Sequence, residues 1–357
     1  MDQGDIVDRR LSNLHLSRPT LAKAADVVDR LVAVQSQDFA GAKWALGSRM
    51  RSATDAAVER SFDEGSILRT HLLRPTWHFV RPADIRWLLE LTAPRIKAAM
   101  HYRHRQLELD TRTFRRANTA LRRALETAGA ATRGELRQSL RAAGIPSLGL
   151  ERMTHIMMWA ELDGLVCSGP RRGKQFTYAL LDARAPLARP RARDEALAEL
   201  ATRYFASRGP ATVQDFAKWA GLTVADARTG LEDAKASLRS EVVDRREYWF
   251  PPFRTARAGS PHAHLLSIYD EYISGYKDRG AIVAPEDGRK LVGMGNALAF
   301  VIALDGRIVG TWRRRLTARA VSVELQFFAQ PPKSARRAVE AAVERYGEFL
   351  KLPVALR

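Results

Sequence analysis

The chain has a single cysteine, Cys167, among its 357 residues. One cysteine excludes an internal disulfide framework and a cysteine-rich zinc site. No apolar run approaches the roughly 18 residues that cross a bilayer, and the first residues, MDQGDIVDRR, are unlike a secretory signal. The sequence also lacks a GxSxG elbow and a GxxxxGKS/T phosphate loop. We therefore expect a cytoplasmic protein without a membrane segment, a metal or a nucleotide cofactor.

Acidic residues are in deficit, because 58 Lys and Arg stand against 40 Asp and Glu, for a net charge of +18. The chain is otherwise ordinary, with 46% hydrophobic and 27% charged residues. The cations cluster in short runs: RHR at 103–105, RR at 115–116 and 122–123, RRGK at 171–174, RPRAR at 189–193 and WRRR at 312–315. Such clustering favours a polyanionic partner, most often nucleic acid. A merely solvated basic surface is the alternative.

The residues after 106 show the clearest local pattern. TRTFRRANTALRRALETAG and ATRGELRQSLRAAG read as helices that end at glycine, and Thr132 is a plausible N-cap of the second. LERMTHIMMWAELDG reads as a third helix. LVCSGPRRGKQFTYAL then reads as two strands around a basic turn. Three helices and a hairpin are typical of a winged helix.

The same pattern recurs along the chain, which predicts a tandem array. We predict a mainly α, α+β protein with three winged-helix units and a small β-rich C-terminal domain closed by a helix. The predicted division is an N-terminal segment 1–17, unit 1 with a trailing helix at 18–105, unit 2 at 106–188, unit 3 at 189–256 and the C-terminal domain at 257–357.

Two glutamines stand where a helical pattern in unit 1 ends, in RLVAVQSQDFAGAKWAL. Glutamine does not ionise, so Gln35 and Gln37 either tie down a loop or orient something without being protonated. Asp38 precedes the next helical pattern and is predicted to cap it. The competing role for Asp38 is that of a general base.

Several other side chains are candidates for a pocket or for phosphate contacts. Trp77 and His78 lie in the second predicted strand of unit 1, and His78 either packs in the sheet or faces a channel. The acidic cluster Asp270, Glu271 and Tyr272 either buttresses arginines such as Arg279 or lines a pocket; we favour buttressing. Candidate DNA contacts are Arg74, Arg171, Arg172, Lys174, Lys277, Arg279, Arg313 and Arg314.

Three segments together resemble one family. They are Gln35-Ser36-Gln37 followed by Asp38, then LRTHLLRPTWHFVRPADIRWLL at 68–89, and LLSIYDEYISGYKDR at 265–279, which leads into DGRIVGTWRR. In these segments the chain resembles the AlkZ/YcaQ family of winged-helix DNA glycosylases over about residues 15–350. The resemblance implies a channel lined by winged helices, hydrolysis of the N-glycosidic bond of alkylated purines, and catalysis by Gln35 and Gln37. The Gln-x-Gln type is associated with bulky or crosslinking adducts.

That chemistry suits uncharged side chains. Glycosidic hydrolysis normally requires an acid for the leaving group. A purine alkylated at N7 or N3 already carries a positive charge and departs neutral, so no acid is needed. What remains is to place a water molecule and to stabilise developing positive charge, and a glutamine carbonyl can accept from that water. We expect the two glutamines, two residues apart in an extended segment, to point the same way.

The expected partner is double-stranded DNA carrying alkylated bases, bound by a monomer associated with the nucleoid and without cofactors. A bulky adduct is expected to react without full base flipping. A hairpin, from ALDGRIVG or KDRGAIVAPEDGRK, is expected to enter the minor groove. The alternative function is a non-enzymatic winged-helix DNA binder, either a regulator or a genotoxin-sequestering protein, in which the glutamines only fasten a loop.

Overall fold

The computed structural model describes residues 1–145, 149–252, 261–293 and 300–356, and for 291–293 it describes the backbone alone. Its helices are α1 (Gln3–Asn13), α2 (Ala24–Leu31), α3 (Phe39–Gly47), α4 (Asp55–Asp63), α5 (Ile85–Gln106), α6 (Thr111–Ala128), α7 (Arg133–Ala142), α8 (Leu150–Leu162), α9 (Leu181–Arg184), α10 (Arg193–Arg208), α11 (Val213–Ala220), α12 (Val224–Ala234), α13 (Glu271–Ser274), α14 (Pro285–Gly293) and α15 (Lys333–Leu350). Its strands are β1 (Ala33–Gln35), β2 (Leu68–Leu72), β3 (Arg74–Val80), β4 (Ala130–Thr132), β5 (Val166–Ser168), β6 (Thr177–Leu180), β7 (Arg239–Val243), β8 (Arg246–Phe250), β9 (Ala263–Leu266), β10 (Val301–Leu304), β11 (Arg307–Leu316), β12 (Val321–Phe327) and β13 (Val354–Leu356).

One arrangement of helices and strands occurs three times. Unit 1 runs α2, β1, α3, α4, β2, β3, with the strands in the order β1-β3-β2. Unit 2 repeats it as α6, β4, α7, α8, β5, β6, with the order β4-β6-β5. In unit 3, Ala211 pairs with Trp249 on β8 and replaces the first strand. This is the order of a winged helix. The α+β fold class is confirmed, and the boundaries between units stay a prediction.

A short strand in unit 1, which the sequence did not predict, lies where the helical pattern before Gln35 ends. Val32 adopts φ +65° and ends α2, and β1 follows at once. A β-branched residue at positive φ is strained, and the fully buried position of Val32 holds it there. Gln35 is therefore the last residue of a strand that pairs with β3 through His78.

The N-terminal segment belongs to the fold rather than preceding it. Helix α1 buries Ile6, Val7 and Leu11. Its buried Arg10 and Asn13 donate to the carbonyls of Pro210 (2.9 Å) and Gly209 (2.6 Å) in unit 3. The main hydrophobic core runs through this helix, units 1 and 3 and the C-terminal domain, whereas most of unit 2 surrounds a second core.

The C-terminal domain is a five-stranded sheet in the order β13-β12-β11-β10-β9, closed by α15 as predicted. Neither segment predicted to enter the minor groove forms an exposed hairpin. The turn of ALDGRIVG is packed on α1: Gly306 has φ +77°, and a Cβ there would lie 2.2 Å from Val7. The segment KDRGAIVAPEDGRK contains the start of α14 instead of a hairpin. The β11–β12 hairpin has an exposed tip, with its turn at 317–320 and Leu316 50% exposed.

Candidate active site

Gln35 is fixed from two sides at the end of β1. Its backbone N–H donates to Oε1 of Glu271 at 3.1 Å, and its side-chain Oε1 accepts from Nη2 of Arg74 at 3.0 Å. Arg74 also donates to the carbonyl of Trp219. Only 8% of Gln35 is exposed. Unit 1, unit 3 and the C-terminal domain therefore meet around Gln35. Glu271 binds its backbone, and Arg74 connects its side chain to Trp219.

Glu271 is the centre of a buried polar cluster. Its Oε2 accepts from Arg208 at 2.7 Å and from the Trp219 indole at 2.9 Å. Arg208 in turn donates to the carbonyl of Ala33 on β1 at 3.1 Å. Both charged side chains are fully buried. Such a pair is stable only when its remaining hydrogen-bonding capacity is used, as it is here. The cluster holds β1, and with it Gln35, against α10 and α11.

Arg74 forms hydrogen bonds inside the protein and is not the exposed phosphate contact that the sequence suggested. It is half-buried, and burial lowers the pKa of its guanidinium, while the carboxylate of Glu271 opposes that shift. The turn that carries it is closely packed. A Cβ on Gly221 would lie 2.0 Å from the carbonyl oxygen of Leu73. Since Arg74 spans from Gln35 to Trp219, it fixes which way the amide oxygen of Gln35 points.

Gln37 differs from Gln35 because its side chain is exposed. Backbone pairing with β3 continues to Ser36, whose N–H donates to the carbonyl of Trp77 at 2.7 Å, and the chain then bends. Within the described residues, no hydrogen-bond partner holds the Gln37 amide. One glutamine is therefore locked and the other is open to a ligand, and the expectation that their side chains point the same way stays a prediction.

Asp38 occupies the N-cap position of α3, but its side chain makes no capping hydrogen bond, so the predicted capping role is wrong. Its Oδ2 lies 3.8 Å from Nη2 of Arg314, which links unit 1 to the C-terminal sheet. A Cβ on Gly41 would lie 2.7 Å from the same oxygen. The carboxylate is about one third exposed, at 31%. Asp38 thus follows Gln37 in the chain, faces Arg314, and lies so close to Gly41 that a larger residue there would displace the carboxylate.

His78 and Trp77 lie on opposite faces of the unit 1 sheet, and His78 is fully buried. Its Nδ1–H donates to the carbonyl of Thr76 at 2.9 Å. Burial, and next the charge of Arg74, hold the pKa of the His78 imidazole well below its ordinary value. His78 is therefore a neutral, packed residue and does not line an open pocket. Trp77 is half-buried, with its indole 3.4 Å from Glu161 of α8.

The acidic cluster buttresses arginines, as favoured from the sequence, but the arginines are different ones. Asp270 accepts from both guanidinium nitrogens of Arg49, at 2.8 and 2.9 Å. Tyr272 donates to the carbonyl of Gly306 at 2.6 Å. At most 1% of Asp270, Glu271 and Tyr272 is exposed, so they are wrong as direct pocket residues. Arg49 and Arg208 were missed, although a buried acid in a basic protein implies such a partner.

The candidate phosphate contacts fall into two groups. Arg171 donates to Glu59 at 2.6 Å, and Arg314 donates to the hydroxyl of Tyr346, so both are occupied inside the protein. Arg279 is half-buried, which lowers the pKa of its guanidinium. Arg172 is exposed but paired with Glu135 at 2.7 Å. Three cations of this set, Lys174, Lys277 and Arg313, are exposed and form no ion pair within the described residues.

Other chemistries find no support among the described residues. No group of three or more His, Cys, Asp or Glu side chains there is placed to hold a metal ion. Across the same ranges, no helix has the length and apolar character to cross a bilayer. Burial raises the pKa of the Cys167 thiol to about 12. A thiol with that pKa is protonated at neutral pH and does not serve as a nucleophile.

The fold and the site define a protein of several winged-helix-like units, with a buried Gln35 where these units meet and an exposed Gln37 two residues later. The family model of AlkZ-like DNA glycosylases matches residues 28–349, so the chain belongs to that family, whose members hydrolyse N-glycosyl bonds in DNA. It is 25% identical over 329 residues to the interstrand DNA cross-link repair glycosylase of Streptomyces sahachiroi, covering 85% of each chain. The structure of Streptomyces sahachiroi DNA glycosylase AlkZ is similar, with a TM-score of 0.81, 22% identity and full coverage of both chains. The enzymatic interpretation is thereby favoured over the non-enzymatic binder.

Proposed function

We propose that this glycosylase releases cationic alkylated purines, of the N7-alkylguanine or N3-alkyladenine type, from double-stranded DNA and leaves an abasic site. Bulky or crosslinked adducts are included, because the similar Streptomyces protein carries crosslink repair in its name. The observation that carries the proposal is the contrast between a locked Gln35 and an open Gln37. We propose that the protein acts as a monomer and needs no cofactor.

The proposed mechanism uses amide oxygens to hold a water molecule. Gln37 accepts one hydrogen of the water through its exposed carbonyl oxygen. The oxygen of Gln35 retains a second lone pair beside the one taken by Arg74, and it accepts the other hydrogen. The oxygen of the water then faces the anomeric carbon. The glycosidic electron pair moves to the purine, which leaves as a neutral base, so no protonation of the leaving group is required.

Asp38 has a secondary role in this proposal. Its carboxylate is next to Gln37 and only partly shielded by Arg314. A negative charge there stabilises the positive charge that develops on the deoxyribose. After the new C–O bond has formed, the oxygen that came from water carries one surplus proton, and the carboxylate takes up this proton as it is released.

The β11–β12 hairpin is the proposed minor-groove element. Leu316 is a large apolar side chain exposed at the end of β11, and Arg313 is exposed three residues earlier. Apolar side chains at such tips wedge between base steps, and cations beside them contact phosphates. Arg314, which lies between them, is paired with Asp38 and so connects this hairpin to the glutamine segment.

The test is excision from duplexes that differ only in the charge of one base. One duplex carries N7-methylguanine, the second its neutral 7-deaza isostere, and the third guanine. We expect abasic sites from the first duplex and none from the others, with binding affinities within a factor of a few. Equal excision of the neutral isostere, or no excision of any cationic adduct, contradicts the proposal.

A further inference from the structure

Helix α6 of unit 2 carries a cationic face that the active site does not use. Its apolar residues Phe114, Ala117, Leu121 and Leu125 are buried in the unit 2 core. At 100° per residue, the opposite side is an arc of about 120° that includes the exposed Arg115, Arg116, Arg122 and Arg123, together with Arg112, Thr119 and one acidic residue, Glu126. We call the first four residues the α6 arginine face.

These arginines lack the acidic partners that other arginines of the chain have. Within the described part of the chain, none of the four forms an ion pair. Arg116 donates only to the carbonyls of Ala143 and Gly144, at 3.1 and 3.2 Å. Like charges on one helix face repel and cost helix stability. An anion bound to this face relieves that repulsion.

The surface beside the arginines is shaped for an extended ligand. A groove of about 520 Å³ runs between α6 and α7. Arg116, Thr119 and Arg123 form one side of it, and Ser139 and small alanine side chains form the rest. Small residues permit close approach of a polymer backbone to the arginines.

The third helix of each unit, which winged-helix proteins commonly place in the major groove, is poorly suited to that task here. In unit 1, α4 carries Asp55 and Glu59, both paired with Lys43. In unit 2, α8 packs on unit 1 through Glu161 and Trp77. In unit 3, α12 carries more acids than bases, in VADARTGLEDA. Phosphate contacts must then come from other surfaces.

We propose that the α6 arginine face binds the sugar-phosphate backbone of duplex DNA away from the damaged base. Four cations along about 12 Å of helix match one DNA strand, which offers a phosphate about every 3.4 Å along the axis. The proposal rests on the proposed function only in taking DNA as the partner. Excision itself is not required for its test.

The experiment measures the affinity for an undamaged duplex as a function of salt concentration. The variants are Arg115→Gln/Arg116→Gln, Arg122→Gln/Arg123→Gln and the combination of all four. Glutamine removes the charge but has nearly the same helix propensity as arginine, so α6 is expected to stay folded. Arg336→Gln/Arg337→Gln is the matched control, since it removes an adjacent exposed pair from α15. Thermal unfolding and single-turnover excision at saturating enzyme are recorded for each variant.

Each lost phosphate contact lowers the slope of log K against log salt by about 0.9. We expect a decrease of up to about 1.8 for each pair on α6 and up to about 3.6 for all four, with no change for the control. Folding and the saturated excision rate are expected to stay at wild-type values. Unchanged slopes in folded α6 variants overturn the proposal. Wild-type binding without excision of any adduct refutes the proposed function but leaves this test intact.

Discussion

Replacing Arg74 separates a positioning role from a phosphate contact. In the structure, Arg74 holds the amide oxygen of Gln35 at 3.0 Å and the Trp219 carbonyl at once. In Arg74→Met the Gln35 amide is free to rotate, and a displacement of about 1 Å in a reacting group costs about 100-fold in rate, or roughly 2.7 kcal/mol of barrier. We expect that loss in single-turnover excision at saturating enzyme, with little change in DNA affinity.

Arg74→Lys makes the test sharper. A lysine keeps the charge and binds a phosphate, but it cannot span two acceptors as the planar guanidinium does. We therefore expect Arg74→Lys to be nearly as slow as Arg74→Met. The variants should also lose about 1–3 kcal/mol of unfolding free energy, because a carbonyl loses its partner; urea denaturation at the assay temperature checks this. If lysine restores activity, or if only DNA affinity falls, Arg74 contacts phosphate and the positioning argument is refuted.

Three further changes have defined outcomes. Glu271→Gln leaves Arg208 as an uncompensated buried cation, so we expect a loss of about 3–5 kcal/mol in unfolding free energy, measured by urea denaturation; a loss below 1 kcal/mol contradicts the buried cluster. Leu316→Ala should weaken binding to a lesion duplex several-fold, while the exposed control Leu187→Ala leaves it unchanged, and equal effects remove the hairpin from the interface. Burial lowers the pKa of His264 to about 3 from the ordinary 6.5. The folded state therefore favours the neutral imidazole. The resulting contribution of His264 to the free energy of unfolding is complete above pH 6.5 and is lost as the pH falls towards 3. His264→Gln should reduce the slope of unfolding free energy against pH below 6.5 by about 1.4 kcal/mol per pH unit, and an unchanged slope contradicts this.

The periodicity of the sequence predicted the fold class because local signals coincide with the tertiary structure. Thr132 caps α7 through a capping box with Glu135, and Gly129 ends α6 at φ +68°. The strand β1 was missed because three residues are too few to show the alternating pattern of a strand. In addition, the helix before it ends at Val32, a residue type that rarely adopts positive φ.

The site was predicted in its location but not in its geometry. Gln35 was singled out, yet its hydrogen bond to Glu271 joins residues 236 positions apart, and no local pattern contains that pairing. The turn arginine Arg171 looked free because its partner Glu59 belongs to another unit. Charge alone therefore overestimates the number of phosphate contacts, because the sequence does not distinguish an arginine that binds another unit from one that binds DNA.

The most direct measurement of the central claim is single-turnover excision of N7-methylguanine by wild type, Gln35→Ala, Gln37→Ala and the exposed control Gln330→Ala, each at saturating enzyme. Both active-site variants should lose about 100-fold or more in rate, with DNA affinity and thermal unfolding of Gln37→Ala unchanged and the control at wild-type rate. Wild-type excision by Gln37→Ala would show that the open amide does not hold the attacking water, and the proposed mechanism would be wrong.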